Sequence, residues 1–174
     1  MDNIVIENFF NNIDGLEASI KKVPLYDIEW HQKRPKFDKN FVYPGLRSMP
    51  LHDSFRYLSE IIKERILHYL YFIPHFQKPF DITSCIHLRR EQDNAGEYIH
   101  KDPYTYTGLI YLNNNENSGT NIYNEDRNNP KVTMSVKCVK NRLFLFRSDQ
   151  YHSSFGNFGD NIDNGRLTIN FFVK

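Results

Sequence analysis

Two histidines, an aspartate and an arginine stand out for the chemistry that their types and positions allow. His100 and Asp102 form a His–x–Asp pair within GEYIHKDPYTYTGLIYLN, residues 96–113. A strand that opens this run alternates its side chains between two faces, so Tyr98, His100 and Asp102 are expected to project together. Pro103 then ends regular pairing. Downstream, His152 follows the apolar run RLFLFR and Arg166 opens the final run RLTINFFVK. Two neutral imidazoles and one carboxylate on one face of an octahedron leave three positions open, which suits non-haem Fe(II) with dioxygen and a bidentate co-substrate. A closed structural zinc site would call for a fourth nitrogen or sulfur ligand. His87, on the preceding run, stays open as such a ligand, although it shares no motif with the others, and neither do His31, His52, His68 and His75.

These residues need elements to hold them. The opening IVIENFF alternates and is rich in β-branched residues, which predicts a short strand, and NNIDGLEASIKK predicts a turn leading into a helix. Residues 24–50 carry Pro24, Pro35, Pro44 and Pro50 and no sustained period, the pattern of a long loop of the kind that serves as a lid or binding segment. From Asp53 onward, Phe55, Leu58, Ile62, Ile66 and Leu70 recur at helical spacing, with Pro74 closing the segment, so a helix is expected to back the core. After Pro79 short apolar runs follow one another to the C-terminus, separated by Asn, Asp and Gly turns. This order predicts an antiparallel sandwich or barrel with helices on one side. NNNENSG, residues 113–119, reads as a hairpin loop.

The bulk properties exclude several classes. A chain of 174 residues fits one domain, 1–174, with a helical support and loop over 1–80 and a β core over 81–174. Lys and Arg number 22 against 21 Asp and Glu, a net charge of +1, so no long-range field selects nucleic acid or an anionic membrane. The short basic group HQKRPK, residues 31–36, is expected to be a solvated loop. Cys85 and Cys138 share no CxxC spacing and are expected to be structural thiols rather than a disulfide or zinc knuckle. The acidic N-terminus lacks the pattern of a secretory signal and no run approaches the roughly 20 apolar residues of a membrane span, so a soluble cytoplasmic protein is the expectation.

Read together, GEYIHKD, GLIYLN, SGTNIY, RLFLFRSDQYHS and GRLTINFF resemble the double-stranded β-helix (jelly-roll, cupin-like) core of the Fe(II)/2-oxoglutarate-dependent dioxygenases, most nearly the prolyl-hydroxylase-like branch. The resemblance covers residues 81–174, and IENFF with the helices after it is similar in style to the helical support of that family. It implies an α+β, mainly β fold. It makes His100, Asp102 and His152 the iron ligands and Arg166 the partner of the distal carboxylate of 2-oxoglutarate, a role that suits the two parallel donors of a guanidinium. Tyr111 matches the tyrosine that assists the same carboxylate. Thr168 and Asn170, in phase with Arg166, are expected to line the co-substrate pocket, and Tyr98 stands near a family tyrosine but two residues before His100.

The family's activity is hydroxylation of a C–H bond with O2, releasing succinate and CO2. Related halogenases replace the carboxylate ligand with a small residue, so the presence of Asp102 points to hydroxylation. Substrate selection is expected in the loops 30–50, 92–95 and 113–119, with Tyr104 and Tyr106 as parts of a substrate wall. An amino-acid, peptide or protein substrate is expected, with a prolyl side chain suggested by the branch. No nucleic acid or membrane partner is expected, and the oligomeric state is open. Two other classes remain: a cupin-like metal protein that does not use 2-oxoglutarate, and a noncatalytic jelly-roll binding module.

Overall fold

The structure, a computed structural model, describes residues 3–35, 37–38, 42–72, 81–93 and 98–174. Lys36, Pro74, His75, Pro79 and residues 94–97, which include the start of the strand expected before His100, lie outside the described residues. Among the described residues nine strands form two antiparallel sheets. The major sheet contains β1 (Ile4–Ile6), β7 (Leu143–Arg147), β4 (Tyr106–Tyr111), β9 (Arg166–Val173), β3 (Ile82–Arg89) and β2 (Leu46–Arg47), in that order. The minor sheet has the order β6 (Val132–Cys138), β5 (Asn115–Tyr123), β8 (His152–Phe155). Facing antiparallel sheets with this strand order make the double-stranded β-helix expected from the sequence.

Alternation along each strand assigns the two faces of the major sheet. Ile86, Ile110, Leu143, Leu145, Leu167, Ile169 and Phe171 pack outward against the helices, in one cluster with Phe9, Leu16, Ile20, Leu58, Ile62, Ile66 and Leu70. Their neighbours face the minor sheet. On β4 and β7 that inner face is apolar, with Leu109, Tyr111, Phe144 and Phe146 packed against Ile122, Val136 and Cys138. On β3 and β9 it carries His87, Arg89, Arg166, Thr168 and Asn170, all buried. The barrel therefore has an oily side and a polar side, and the polar side holds the cavity.

The helices confirm the outward stripe and modify the expected boundaries. Asn12 caps α1 (Ile13–Ile20) by accepting from the Gly15 amide at 3.1 Å. The single helix expected from Asp53 is two, α3 (Leu51–Ser54) and α4 (Arg56–Tyr71), because Phe55 between them leaves the helical conformation, at φ −134° and ψ 57°, and packs into the helix-side core. Within the loop expected over 24–50, Asp27 accepts from the Trp30 amide at 2.8 Å and starts a one-turn helix, α2 (Ile28–Gln32), too short to display a period. The expected hairpin loop 113–119 is mostly strand: β5 begins at Asn115 and absorbs a register irregularity before Gly119. Cys85 and Cys138 are buried and free. Among the described residues no helix is long and apolar enough to cross a membrane.

One position tests the helix-side packing. Gly108 on β4 lies under Phe171, and a Cβ there would sit 2.0 Å from the ring. Gly108→Ala is therefore expected to destabilise the fold by about 1–3 kcal/mol through overpacking. Urea unfolding measures the loss, and an unchanged midpoint would show that Phe171 yields without cost.

Candidate metal centre

The His–x–Asp segment is positioned by β8. His100 and His152 exchange both backbone hydrogen bonds, the His100 amide donating to the His152 carbonyl at 3.0 Å and the reverse bond measuring 2.9 Å. This isolated bridge adds residue 100 to the free edge of the minor sheet and sends both imidazoles to one side. The described part of the segment before Pro103 pairs only through this bridge, not as the longer strand the alternation suggested. Asp102 stays in phase, its amide donating to the Ser148 carbonyl at 2.9 Å.

The ligand atoms of His100, Asp102 and His152 all lie within 4.8 Å of one another. Each histidine ring is oriented in the same way: Nδ1 lies 3.0 Å from the carbonyl oxygen two residues earlier, Tyr98 O for His100 and Gln150 O for His152. A carbonyl only accepts, so each Nδ1 carries the proton and each Nε2 presents its lone pair. Those lone pairs face Asp102, at 3.7 Å for His100 and 3.4 Å for His152. Three electron-rich groups thus converge on one point, an arrangement that is unfavourable without a shared cation. A proton is a poor choice at His100, where burial and then the nearby His152 push the imidazole pKa down to about 4. Burial also raises the Asp102 pKa, but the neighbouring His152 imidazole and the hydrogen bond from Thr107 outweigh it and hold the carboxyl below its usual range. The Thr107 hydroxyl donates to Asp102 Oδ2 at 2.7 Å and sits 2.8 Å from Ser148 Oγ, fixing the carboxylate from behind.

Arg166 lines the same cavity of about 170 Å3. It is buried, donates through Nη2 to Thr120 Oγ1 at 3.2 Å and to Gly119 O at 3.3 Å, and leaves Nε without a partner among the described residues. Tyr111 lies beneath it, ring centre 5.4 Å from the guanidinium carbon, with its hydroxyl on Thr120 Oγ1 at 2.7 Å. Tyr111 therefore reaches the cavity through Thr120 and Arg166 and does not line it. Asn170 lines the cavity, while Thr168 sits behind it, donating to Asn170 Oδ1 at 2.7 Å. Tyr98 is at the mouth, 45% exposed, its ring 4.7 Å from that of His100.

Several cavity residues escaped the sequence reading, Thr107 and Thr120 among them. Arg89, in phase with His87 on β3, and Arg47 on β2 line the cavity, and so does Ser154, two residues beyond His152. The inward phase of β3 was a signal for Arg89; nothing local singles out Arg47. His87 is not part of the metal cluster: its Nε2 lies 2.8 Å from the Pro44 carbonyl. A second chamber of about 440 Å3 borders Asp102 and Pro103 and is walled by His31, Arg34, Tyr43, Arg47, Tyr104 and Phe172. Tyr104 stacks on Phe172 at 4.6 Å, whereas Tyr106 packs on the helix side and does not reach the chamber.

The buried histidines outside the cluster carry a pH signature. Burial lowers the pKa of His87 well below the ordinary value and lowers that of His31. The unfolded chain, titrating near 6.5, then binds more protons than the folded one just below that pH, so stability is present above about pH 6.5 and is lost on acidification. Thermal unfolding of the metal-free protein is expected at a lower temperature at pH 5 than at pH 7, with a smaller drop in His87→Gln. An equal drop in that variant would assign the dependence elsewhere.

No protein-family model matches this sequence, and no curated protein matches it. Solved structures do. The non-heme alpha-ketoglutarate dependent epimerase SnoN from nogalamycin biosynthesis aligns with 99% of this chain and 77% of its own at 11% identity and a TM-score of 0.65. HygX from Streptomyces hygroscopicus, solved with nickel and 2-oxoglutarate bound, aligns over 98% of this chain and 82% of its own at 12% identity, TM-score 0.62. A prolyl 4-hydroxylase from Phytophthora capsici covers 99% of this chain with 58% of its own length at 17% identity, TM-score 0.61. At these identities the likeness establishes the fold: the chain has the double-stranded β-helix fold of the 2-oxoglutarate and Fe(II) oxygenases.

Proposed function

We propose that this protein is an Fe(II)/2-oxoglutarate-dependent dioxygenase that hydroxylates a C–H bond of an amino-acid or peptidyl substrate and releases succinate and CO2. The observation that carries this reading is the convergence of two Nε2 lone pairs and the Asp102 carboxylate at the rim of a cavity that holds a buried arginine. Three protein ligands with no fourth, among the described residues, suit non-haem iron better than a closed zinc site. The fold shared with HygX, whose structure holds nickel and 2-oxoglutarate, supports the same assignment.

In this reading His100, Asp102 and His152 hold the metal, with the Nδ1–H···O=C bonds and Thr107 keeping their lone pairs aimed inward. The bound iron and 2-oxoglutarate supply the oxidising chemistry. Arg166 binds the distal carboxylate of 2-oxoglutarate, Thr120 and Tyr111 hold the guanidinium in place, and Asn170 borders the co-substrate. Tyr98 screens His100 from water. The second chamber receives the substrate: Tyr43, Tyr104 and Phe172 enclose an apolar portion such as a prolyl ring, and Arg34 and Arg47 face its carboxylate or backbone carbonyls. Most of that wall comes from the loop expected to set specificity, residues 30–50.

Anaerobic titration of the Fe(II)-loaded protein with 2-oxoglutarate tests this reading. A weak visible charge-transfer band is expected, followed by succinate formation once O2 is admitted. Bound iron without a band would favour a cupin-like metal protein instead.

A further inference from the structure

The reading above uses one buried guanidinium, but the cavity contains two that face each other. Arg89 and Arg166 are Cα partners where β3 pairs with β9, both are buried, and both line the cavity. Their tips cross to the minor sheet and end on a second opposed pair. Arg89 Nη1 donates to Ser154 Oγ at 2.6 Å and Arg166 Nη2 to Thr120 Oγ1 at 3.2 Å, and Thr120 is the Cα partner of Ser154 in the β5–β8 register. Two guanidiniums and two hydroxyls therefore converge on one end of the cavity.

Two like charges buried side by side repel, and burial followed by the charge of Arg166 brings the Arg89 pKa down to about 10. Among the described residues lining the cavity the sole carboxylate is Asp102, held by Thr107 beside His152 at the opposite end, while Asp93, outside the lining, offsets part of the Arg89 charge and accepts from Arg89 Nη2 through its backbone carbonyl at 3.3 Å. A ligand carboxylate between the guanidiniums relieves the repulsion and supplies an acceptor for Arg166 Nε. Its distance from the metal cluster fits: Ser154 lies two residues along β8 from His152, about 6.6 Å at ~3.3 Å per residue. A five-carbon dicarboxylate with one end at the metal cluster reaches that far.

We infer that Arg89 is a second ligand of the distal carboxylate, forming with Arg166 a two-guanidinium clamp that selects a dianionic 2-oxo dicarboxylate over analogues without the distal charge. The identity of the dianion rests on the proposed function; the clamp itself calls only for a carboxylate.

Calorimetric titration of the full chain tests the clamp with three probes: succinate on the metal-free protein, and 2-oxoglutarate and its distal amide, 2-oxoglutaramate, on the Mn(II)-loaded protein. In Arg89→Gln, 2-oxoglutarate is expected to bind about 30-fold more weakly, the loss of a charge-assisted bond, while 2-oxoglutaramate stays within about threefold. Arg89→Lys, which keeps the charge, is expected to retain part of the preference and serves if the glutamine variant does not fold. Equal losses for both probes, or unchanged affinity for 2-oxoglutarate, would overturn the clamp. Wild-type binding of succinate with no gain for 2-oxoglutarate on metal loading would keep the clamp and overturn the oxygenase reading. Binding of neither dicarboxylate would overturn both.

Discussion

Asp102→Ala is expected to abolish 2-oxoglutarate turnover and to strip most of the metal affinity from the protein. Asp102 is the only carboxylate in the cluster, and its oxygens stand 3.7 and 3.4 Å from the two imidazole Nε2 atoms. Without it, two neutral imidazoles remain, with no negative charge to offset a divalent ion. The milder change Thr107→Val removes the hydroxyl that holds Asp102 Oδ2 at 2.7 Å and is expected to cost about 10- to 100-fold in metal affinity, as for other residues that orient a ligand. Metal titration followed by succinate formation under O2 ranks the two variants. Succinate formed at the wild-type rate by Asp102→Ala would remove this carboxylate from the metal site.

The second large effect is at the opposite end of the cavity. Arg166→Ala is expected to weaken 2-oxoglutarate binding by about 3–5 kcal/mol, because the distal carboxylate is then buried with half its partners gone. At about 1.4 kcal/mol per tenfold, that is two to three and a half orders of magnitude in the concentration needed to develop the charge-transfer band. Arg166 makes no hydrogen bond to His100, Asp102 or His152, its partners being Thr120 and Gly119, so metal affinity is expected to hold. Loss of metal and co-substrate together would point to collapse of the β5–β9 side of the barrel. An unchanged 2-oxoglutarate affinity would move the carboxylate partner elsewhere, with Arg89 the first place to look.

Much of this organisation was legible in the sequence because it depends on local order. The phase of a strand is a property of a few consecutive residues, so the inward direction shared by His100 and Asp102, and by Arg166, Thr168 and Asn170, follows from alternation alone. Chemistry is also residue-specific: histidine and carboxylate side chains at strand ends narrow the options to metal binding or a turn. The helical stripe Leu58, Ile62, Ile66 and Leu70 is local in the same sense, and it lies buried against the sheet as its spacing predicts.

Register and closure are not local, and they determined the rest. Arg89 faces Arg166 only because β3 and β9 pair in one particular register, and both meet Ser154 and Thr120 only because the second sheet folds over the first. Tyr111, which the family resemblance set against the co-substrate, lies behind Arg166 and packs with Phe144, Val136 and Cys138 between the sheets. The sequence by itself determined the fold class, the strand phases and the chemical identity of the three clustered side chains, His100, Asp102 and His152. The tertiary structure alone decided which polar side chains share a cavity, since residues far apart in the chain become neighbours only when burial of the apolar faces selects one pairing of the strands.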